Sequence, residues 1–422
     1  DGENQKLTAL GLGADWRNRN VRLSADFGVQ QNDTRGIRPS VEPAATGVPL
    51  VRPPDASSNY AQPWTFANSR DIFGTLRGEV DVNDKITAWA AFGGRHGEED
   101  NSLANPTLTD TAGNTSTYRF DNHRKEIALT GEVGVRGKFD TGPVGHTVTV
   151  AANAFSLKER NAFAFSDFAG FAGNLYNPTV VAPPPATAFL GGVLDNPTTI
   201  GDTQITSLAV SDTLSFMQDK LLLTLGARYQ KMDTTDYFAT GGAIDTAYSK
   251  HSTSPMAGVV FKLSPQLSLF GNYIEGLVKG KTVSPTPGVS VTFAPAVAQQ
   301  KEIGAKYEAG PLGASVSYFT TRKPDAYVIG GVAGEFGQQR NRGIEFNVYG
   351  QATRGLRLLG GVTLLDARQV SSAVPANNGR DVIGVPNYQF NVGADWDVPG
   401  VRGLALDTRV LRTGRQYADA TN

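Results

Sequence analysis

Residues that could carry nucleotide or cofactor chemistry are few in this sequence. Residues 276–282 read GLVKGKT, but a phosphate-binding loop has four residues between its glycines, and here there are three. Pro285 and Pro287 also prevent the helix that must follow such a loop. The pair Gly11 and Gly13 lies in a strand pattern, where small residues on a sheet face are the ordinary explanation. The sequence therefore predicts neither a nucleotide nor a dinucleotide site.

Metal binding and acid–base catalysis are also poorly supported. The four histidines have no partner at i+2 or i+4, so isolated surface histidines are the simpler interpretation. They are His96, His123, His146 and His251. The acidic pair at residues 98–99 lies in a charged stretch where solvation is the ordinary explanation, and no GxSxG motif occurs. We expect no enzyme activity, no metal site and no intrinsic cofactor.

The polar connecting stretches contain an unusually large number of aromatic residues. Polar loops seldom carry so many aromatic side chains unless these are buried against each other or against a ligand. They are Tyr60, Trp64, Phe66, Phe163, Phe165, Phe168, Phe171, Tyr176, Tyr237 and Phe238. Two interpretations stay open: packing of loop on loop, or stacking on an aromatic or planar chelate whose negative charge pairs with Arg70 or Arg124. The candidate ligand-binding residues are Tyr60, Trp64, Arg70, Trp89, Arg124, Phe163, Phe168, Tyr176 and Tyr237.

The elements that must position these residues are β-strands arranged as hairpins. In residues 344–349 apolar and polar side chains alternate, and the same spacing returns in residues 356–364 after a tight turn. Seven further units of this kind predict about sixteen strands in eight hairpins, with roughly ten residues in each arm. The predicted short turns lie near Asn18, Asp84, Pro143, Asp219, Pro265, Gly310, Thr353 and Gly400.

Connection lengths suggest a membrane barrel. Short turns alternate with stretches that are usually about 20 to 45 residues long, which is typical of a barrel with short periplasmic turns and long outer loops. The predicted fold class is an all-β transmembrane antiparallel β-barrel, with apolar side chains on lipid and polar ones toward the interior. The predicted interior side chains are Arg22, Asp26, Arg77, Glu79, Glu132, Arg136, Arg228, Glu302, Lys306, Glu345, Asn347, Asn391 and Asp395. A passive sixteen-stranded porin and a soluble β-sandwich or adhesin repeat remain alternatives.

Composition excludes several classes of protein. The formal net charge is -1 and basic residues are scattered among acidic ones, so nucleic acid is not an expected partner. The chain has no cysteine, which excludes a disulfide scaffold, and it has no apolar run of the length that a membrane-spanning helix requires. It begins at Asp1 without a targeting signal, so we expect a processed form or a fragment.

Five segments share residues with a known family: LGARY at 225–229, the stretch 254–276 that ends FGNYIEG, QKEIGAKYE at 300–308, RGIE at 342–345 and TGRQYAD at 413–419. These segments resemble the TonB-dependent outer-membrane receptors, in particular their ferric-siderophore branch. Their order and spacing are similar to those of that family's barrel over the whole chain.

The resemblance implies a barrel of 22 strands, an N-terminal plug domain and a TonB-binding segment. We therefore expect residues 1–422 to be a partial transmembrane β-barrel domain, with the plug domain not present in this chain. The resemblance implies TonB-energised uptake of an iron–siderophore complex in the outer membrane of a Gram-negative bacterium, with iron bound only as the siderophore chelate. The implied partners are a ferric siderophore, the TonB–ExbB–ExbD system through the missing N-terminal region, and outer-membrane lipid. The receptor is expected to be a monomer.

Overall fold

A computed structural model describes residues 2–43, 51–286, 289–293 and 295–420. These residues are almost entirely β-structure, with one short 3-10 helix at Pro375–Asn377. The strands are β1 Asn4–Arg17, β2 Val21–Arg35, β3 Glu42–Pro43, β4 Phe66–Asn83, β5 Ile86–Leu108, β6 Asn114–Thr141, β7 Val144–Phe165, β8 Phe171–Asn174, β9 Phe189–Gly191, β10 Thr198–Phe216, β11 Leu221–Tyr237, β12 Ile244–Lys262, β13 Leu267–Val278, β14 Thr282–Thr286, β15 Val289–Thr292, β16 Ala296–Ala309, β17 Leu312–Ile329, β18 Val332–Thr353, β19 Leu356–Ser371, β20 Tyr388–Asp397 and β21 Ala405–Thr413.

Sixteen of the strands in the described part of the chain have nine residues or more, and they form eight hairpins. This confirms the predicted strand count. Among the described residues, no helix has both the length and the apolar character that a membrane span requires. The GLVKGKT stretch begins inside β13, and strand β14, not a helix, follows it.

The chain divides into two compact units, each described here by itself. Unit 1 comprises Asp1–Gly134, Ala152–Thr206 and Met232–Ser249, and unit 2 comprises Val135–Ala151, Ser207–Lys231 and Lys250–Asn422. In unit 1, β1 pairs with β2, β2 with β4 and β4 with β5, all antiparallel, and the short β3 lies parallel to β5. In unit 2, an antiparallel ladder runs from β12 through β13, β16, β17, β18, β19 and β20 to β21.

All eight predicted short turns are present, and within each unit they lie at one end of the sheet. Among the described residues, backbone hydrogen bonds join seven of these turns, all but the one near Pro143, to a neighbouring turn. In unit 1, the Asp81 amide donates to the Asn20 carbonyl at 2.7 Å. In unit 2, the amides of Lys262, Glu308, Gln351 and Asp397 donate to the carbonyls of Lys220, Gln266, Pro311 and Gly355 at 2.7–2.9 Å. The predicted common rim is therefore confirmed in each unit.

Side chains alternate between an apolar face and a polar face, as predicted. Phe346 lies opposite Val316 on one side and Val362 on the other, whereas the next residue, Asn347, lies opposite Ser315 and Gly361. On the polar face of unit 1, the Arg22 guanidinium donates to Glu79 at 2.9 Å and to Asp81 at 2.6 Å. In unit 2, the Thr224 hydroxyl lies 2.9 Å from that of Thr213, on the face opposite Leu225. The two sets of side chains predicted for these strands are thus on separate faces.

Strand lengths differ from the prediction. In the sequence, the alternation after Ile86 ends at Phe92 and predicts a long loop to about Arg124. That prediction is wrong, because β5 continues to Leu108, β6 begins at Asn114, and only five residues join them. The Asp110 carboxylate accepts a hydrogen bond from the side-chain amide of Asn114 at 2.6 Å and further bonds from the backbone amides of Asn114 and Ala112, and these bonds hold its pKa below the usual value. Residues 238–243 and 330–331 are further connections much shorter than the predicted 20 to 45 residues.

Candidate ligand-binding site

Six aromatic rings form a cluster in unit 1, at the end of the strands away from the short turns. Phe165 is the centre of this aromatic cluster, because its ring packs on all the other five. Its centroid lies 4.8 Å from Phe120, 5.2 Å from Phe168, 5.6 Å from Phe163, 5.8 Å from Tyr118 and 6.2 Å from Phe189. These separations and their tilted or edge geometries are those favoured by ring quadrupoles.

Strand alternation positions the rings. Tyr118 and Phe120 are two residues apart on β6, and Phe163 and Phe165 are two residues apart on β7, so each pair projects from one face. β9 then adds Phe189, which lies opposite Phe165 in the ladder with β7. Five of the six rings therefore stand on hydrogen-bonded strands, and Phe168 lies in the turn between β7 and β8.

The aromatic cluster is only partly covered. Phe168 is 56% exposed and Phe189 is 51% exposed. Partly exposed aromatic rings that already pack on each other leave an apolar surface, and such surfaces usually mark binding. The rings therefore pack on one another and still leave an exposed contact area.

A row of alternating charges lies on the polar face of strands β4, β5, β6 and β7. Arg95 donates to Asp71 at 2.7 Å and to Glu126 at 3.1 Å. Arg124 donates to Glu159 at 2.6 Å and also contacts Glu126. Both guanidinium groups are therefore neutralised by carboxylates of the protein itself, and Arg124 does not present the unpaired charge that the sequence interpretation required.

Trp64 is held by loop packing and lies outside the aromatic cluster. Its indole Nε1 donates to the Val181 carbonyl at 2.9 Å, and the Arg119 guanidinium lies 5.7 Å from the ring centroid. Gln62 fastens the same loop, because its amide group donates to the Thr179 carbonyl at 2.9 Å and accepts the Val181 amide at 2.8 Å. For Trp64 the structure shows packing of loop on loop.

Tyr60 and Tyr176 also fasten loops through their hydroxyl groups. The Tyr60 hydroxyl donates to the Pro39 carbonyl at 2.7 Å, and burial raises the pKa of this phenol above its ordinary value. The Tyr176 hydroxyl donates to the Arg52 carbonyl at 2.7 Å. Neither side chain has a ring contact with the aromatic cluster among the described residues.

Three further candidates lie apart from the cluster. Arg70 shares the apolar face of β4 with Ile72 and lies opposite Glu98, so the structure does not bring it to the polar face that carries Arg124. Trp89 lies on the polar face near the short turns, where its Nε1 donates to Glu132 at 2.6 Å. Tyr237 is the last residue of β11.

Of the nine candidates, the structure brings Phe163 and Phe168 together, joined by Phe165. Sequence reasoning missed Tyr118, Phe120 and Phe189. The alternation of Tyr118 and Phe120 with Arg119 and Asp121 was a usable signal, but it fell in a stretch assigned to a loop. No group of three or more metal-ligating side chains occurs in the ranges that the structure describes.

Comparison with known proteins agrees with this architecture. The family model described as "TonB dependent receptor-like, beta-barrel" matches residues 9–422. The chain belongs to the TonB-dependent receptor family. Its fold is thus the transmembrane antiparallel β-barrel of that family, and its place is the outer membrane of a Gram-negative bacterium. The apolar face of each unit is the lipid-facing side, and the polar face is the interior side.

Among relatives of this TonB-dependent receptor barrel, the "Ferrichrome receptor FcuA" of Yersinia enterocolitica is 33% identical over 100% of this chain and 56% of its own length. The "Ferrichrome outer membrane transporter/phage receptor" of Escherichia coli K12 is 25% identical over 68% of this chain and 39% of its own length. The chain therefore spans about half the length of the curated relatives that it matches.

Solved structures of TonB-dependent receptors are also similar. The ferric preacinetobactin receptor BauA from Acinetobacter baumannii superposes with a TM-score of 0.90 at 27% identity, covering 100% of this chain and 63% of that one. The siderophore receptor PiuA from the same organism has a TM-score of 0.82 at 18% identity, with 100% and 66% covered, and it supports the fold alone.

Proposed function

We propose that this barrel is part of an outer-membrane receptor for TonB-energised uptake of an iron–siderophore complex. The observation that carries the proposal is the partly exposed aromatic cluster, which stands at the long-loop end of a barrel of this family. Aromatic rings offer a large, rigid contact area at low entropic cost, which suits stacking against an organic chelate.

The relatives support this reading and do not favour a passive porin. FcuA is named a ferrichrome receptor and BauA a ferric preacinetobactin receptor. In this proposal the ferric siderophore binds at the aromatic cluster and passes through the barrel, and the chain has no enzymatic role. We further propose that a plug domain and a TonB-binding segment outside residues 1–422 couple the barrel to TonB–ExbB–ExbD, and that the receptor works as a monomer.

Removing an exposed ring of the aromatic cluster should weaken chelate binding. In the complete receptor, Phe168→Ala and Phe189→Ala should each raise the Kd for its ferric chelate about tenfold, because truncating an aromatic contact residue typically costs more than 1 kcal/mol. Titration with a panel of ferric chelates, followed by intrinsic tryptophan fluorescence, measures the change.

Phe238→Ala is the matched control for this measurement. Phe238 is 52% exposed in the short connection between β11 and β12, in the same unit but outside the aromatic cluster. Its replacement should leave the Kd unchanged. Equal Kd values for all three variants and the parent would remove the aromatic cluster as the binding surface, and saturable binding of no chelate would contradict the proposed function.

A further inference from the structure

Aromatic side chains on the interior face of the strands are paired with glycines. In unit 1, Phe73 of β4 lies directly opposite Gly28 of β2. In unit 2, Tyr349 of β18 lies directly opposite Gly313 of β17. Strand alternation places all four residues on the polar face, which is the interior side of the barrel. Three further pairs of this kind are Phe270 with Gly304, Phe319 with Gly343 and Trp89 with Gly134.

Each ring covers its glycine with a face and not with an edge. A Cβ added to Gly28 would fall 2.2 Å from Cζ of Phe73 and 2.7 Å from both Cε atoms of that ring. A Cβ added to Gly313 would fall 2.4 Å from both Cε2 and Cζ of Tyr349. A point beyond the edge of a ring would be much nearer to one atom than to its neighbours. Because a Cβ leaves a sheet perpendicular to its surface, each ring lies flat on the strand, with its other face toward the lumen.

The apolar face does not repeat this arrangement at the aromatic residues that can be compared. Phe346 lies between Val316 and Val362, whose branched side chains fill the space that a flat ring would need. Phe27 does lie opposite Gly74, but its nearest ring atom is 3.9 Å from an added Cβ, so the ring does not cover that glycine. Lipid chains adapt to rings that stand away from a sheet. A fixed passage inside a barrel has no such freedom.

The neighbouring strands leave the covered glycine as the only flat position beside each ring. On its other side Phe73 lies opposite Arg95, which is held by Asp71 at 2.7 Å. Tyr349 likewise lies opposite Leu359 of β19. The three atoms nearest to a Cβ at Gly28 all belong to the Phe73 ring, so the strand pairing itself can accept a methyl group there. A methyl group on the glycine would therefore turn the ring into the lumen and leave the ladder intact.

We infer that Gly28 and Gly313 are positioning residues for passage through the barrel, because they keep Phe73 and Tyr349 flat against the interior wall. This inference rests on the proposed function, in which the lumen holds both a plug domain and a moving chelate. It deepens that function by naming residues that act on the transport step and not on binding. A ring that leaves the wall narrows the space left for the chelate.

Uptake and binding should respond differently when a methyl group is added. In the complete receptor, Gly28→Ala and Gly313→Ala should each lower the initial uptake rate about fivefold, because the displaced ring obstructs passage. The Kd should stay within about twofold, since neither glycine belongs to the aromatic cluster. The probe is the member of a panel of ferric hydroxamates and ferric catecholates that binds with saturation, loaded with radioactive iron. Tryptophan fluorescence gives the Kd, and uptake by energised cells is expressed per folded receptor, measured from its heat-dependent electrophoretic mobility.

Removing the displaced ring separates obstruction from a purely structural role of the glycine. The double variants Gly28→Ala/Phe73→Ala and Gly313→Ala/Tyr349→Ala should return the uptake rate to within about twofold of the parent. Gly271→Ala is the matched control. Gly271 lies on the apolar face of β13, opposite Val259 and Ile303, and an added Cβ there would have its nearest neighbours at 3.6 Å. Its uptake rate and Kd should equal those of the parent.

The outcomes distinguish this inference from the proposed function. Parent-like uptake by both glycine variants, a Kd raised in step with the loss of uptake, or double variants as slow as the single ones each overturns the inference while the proposed function stands. Saturable binding of no ferric chelate at all overturns both.

Discussion

Replacing Phe346 by arginine is expected to destabilise the chain in a bilayer by about 2–4 kcal/mol, the cost of a basic side chain near the midplane on the lipid face of a barrel. Phe346 is 45% exposed on the apolar face of β18, between Val316 and Val362 of the neighbouring strands. The guanidinium group would find no acceptor in hydrocarbon, and the apolar contact area of the ring would be lost. Urea unfolding in phospholipid vesicles measures the free energy.

Asn347→Arg is the matched control for this prediction. Asn347 is the next residue of β18 and points to the polar face, opposite Ser315 and Gly361, where water or polar groups can solvate a charge. Its replacement should change the free energy of unfolding by less than about 1 kcal/mol. Equal destabilisation by the two arginines would show that the two faces of β18 are assigned wrongly.

Gly350→Ala should be the most damaging small substitution in unit 2. Gly350 has φ +102°, in a region that side chains rarely adopt, and an added Cβ would overlap the backbone carbonyl oxygen of Pro311. The neighbouring amide of Gln351 donates to that same oxygen at 2.9 Å, which prevents the carbonyl from moving away freely. We expect the free energy of unfolding to fall by about 2–4 kcal/mol, since backbone strain alone accounts for about 1–3 kcal/mol.

Gly310→Ala is the matched control, because it tests the cost of a positive φ without a steric overlap of the added Cβ. Gly310 has φ +58° in the adjacent turn, and an added Cβ there would have nothing within 4 Å. Its replacement should therefore cost only about 1–2 kcal/mol, the penalty of the left-handed conformation. Chemical unfolding of both variants under one condition makes the comparison, and a Gly310→Ala variant as unstable as Gly350→Ala would contradict the steric argument.

The barrel architecture could be predicted because its signals are local. Alternation of apolar and polar residues with a period of two is visible within a few residues of a strand. Turns such as the one after Ala309 can be recognised from their glycine and proline residues, here Gly310 and Pro311. A register error of one residue would have placed every side chain of a strand on the opposite face. Ile344 and Glu345 lie on the predicted faces, so the predicted register of β18 is correct.

The strand ends that lie away from the short turns could not be predicted, because the alternation of apolar and polar residues disappears there. In residues 97–108 of β5, polar side chains occupy both faces: Asn101 and Ser102 are consecutive and both buried. Ser102 is satisfied by the Asp121 carboxylate at 2.6 Å, a contact between residues far apart in the chain. Polar pairing of this kind leaves no hydrophobic pattern in the sequence.

The candidate site was predictable only in part for a related reason. Arg70 is two residues from Ile72, so alternation already placed it on the lipid-facing side, and the grouping with Arg124 ignored that signal. The environment of Trp64 depends on the Val181 carbonyl, 117 residues away, which no local pattern reveals. The amino-acid composition of the loops could indicate that aromatic side chains cluster there. Only the pairing of β7 with β9 shows which rings are in contact.

The unusual length of β6 and β7 has a consequence for the kinetics of binding. They run for 28 and 22 residues, about two to three times what a strand needs to cross the hydrocarbon layer, so the backbone under most of the aromatic cluster is ordered before any ligand arrives. Binding that must first fold a disordered segment loses about 2–5 kcal/mol to ordering. Here that loss is absent. Stopped-flow traces for the ferric chelate that the receptor binds should therefore show one phase, with an observed rate that rises linearly with chelate concentration and does not level off.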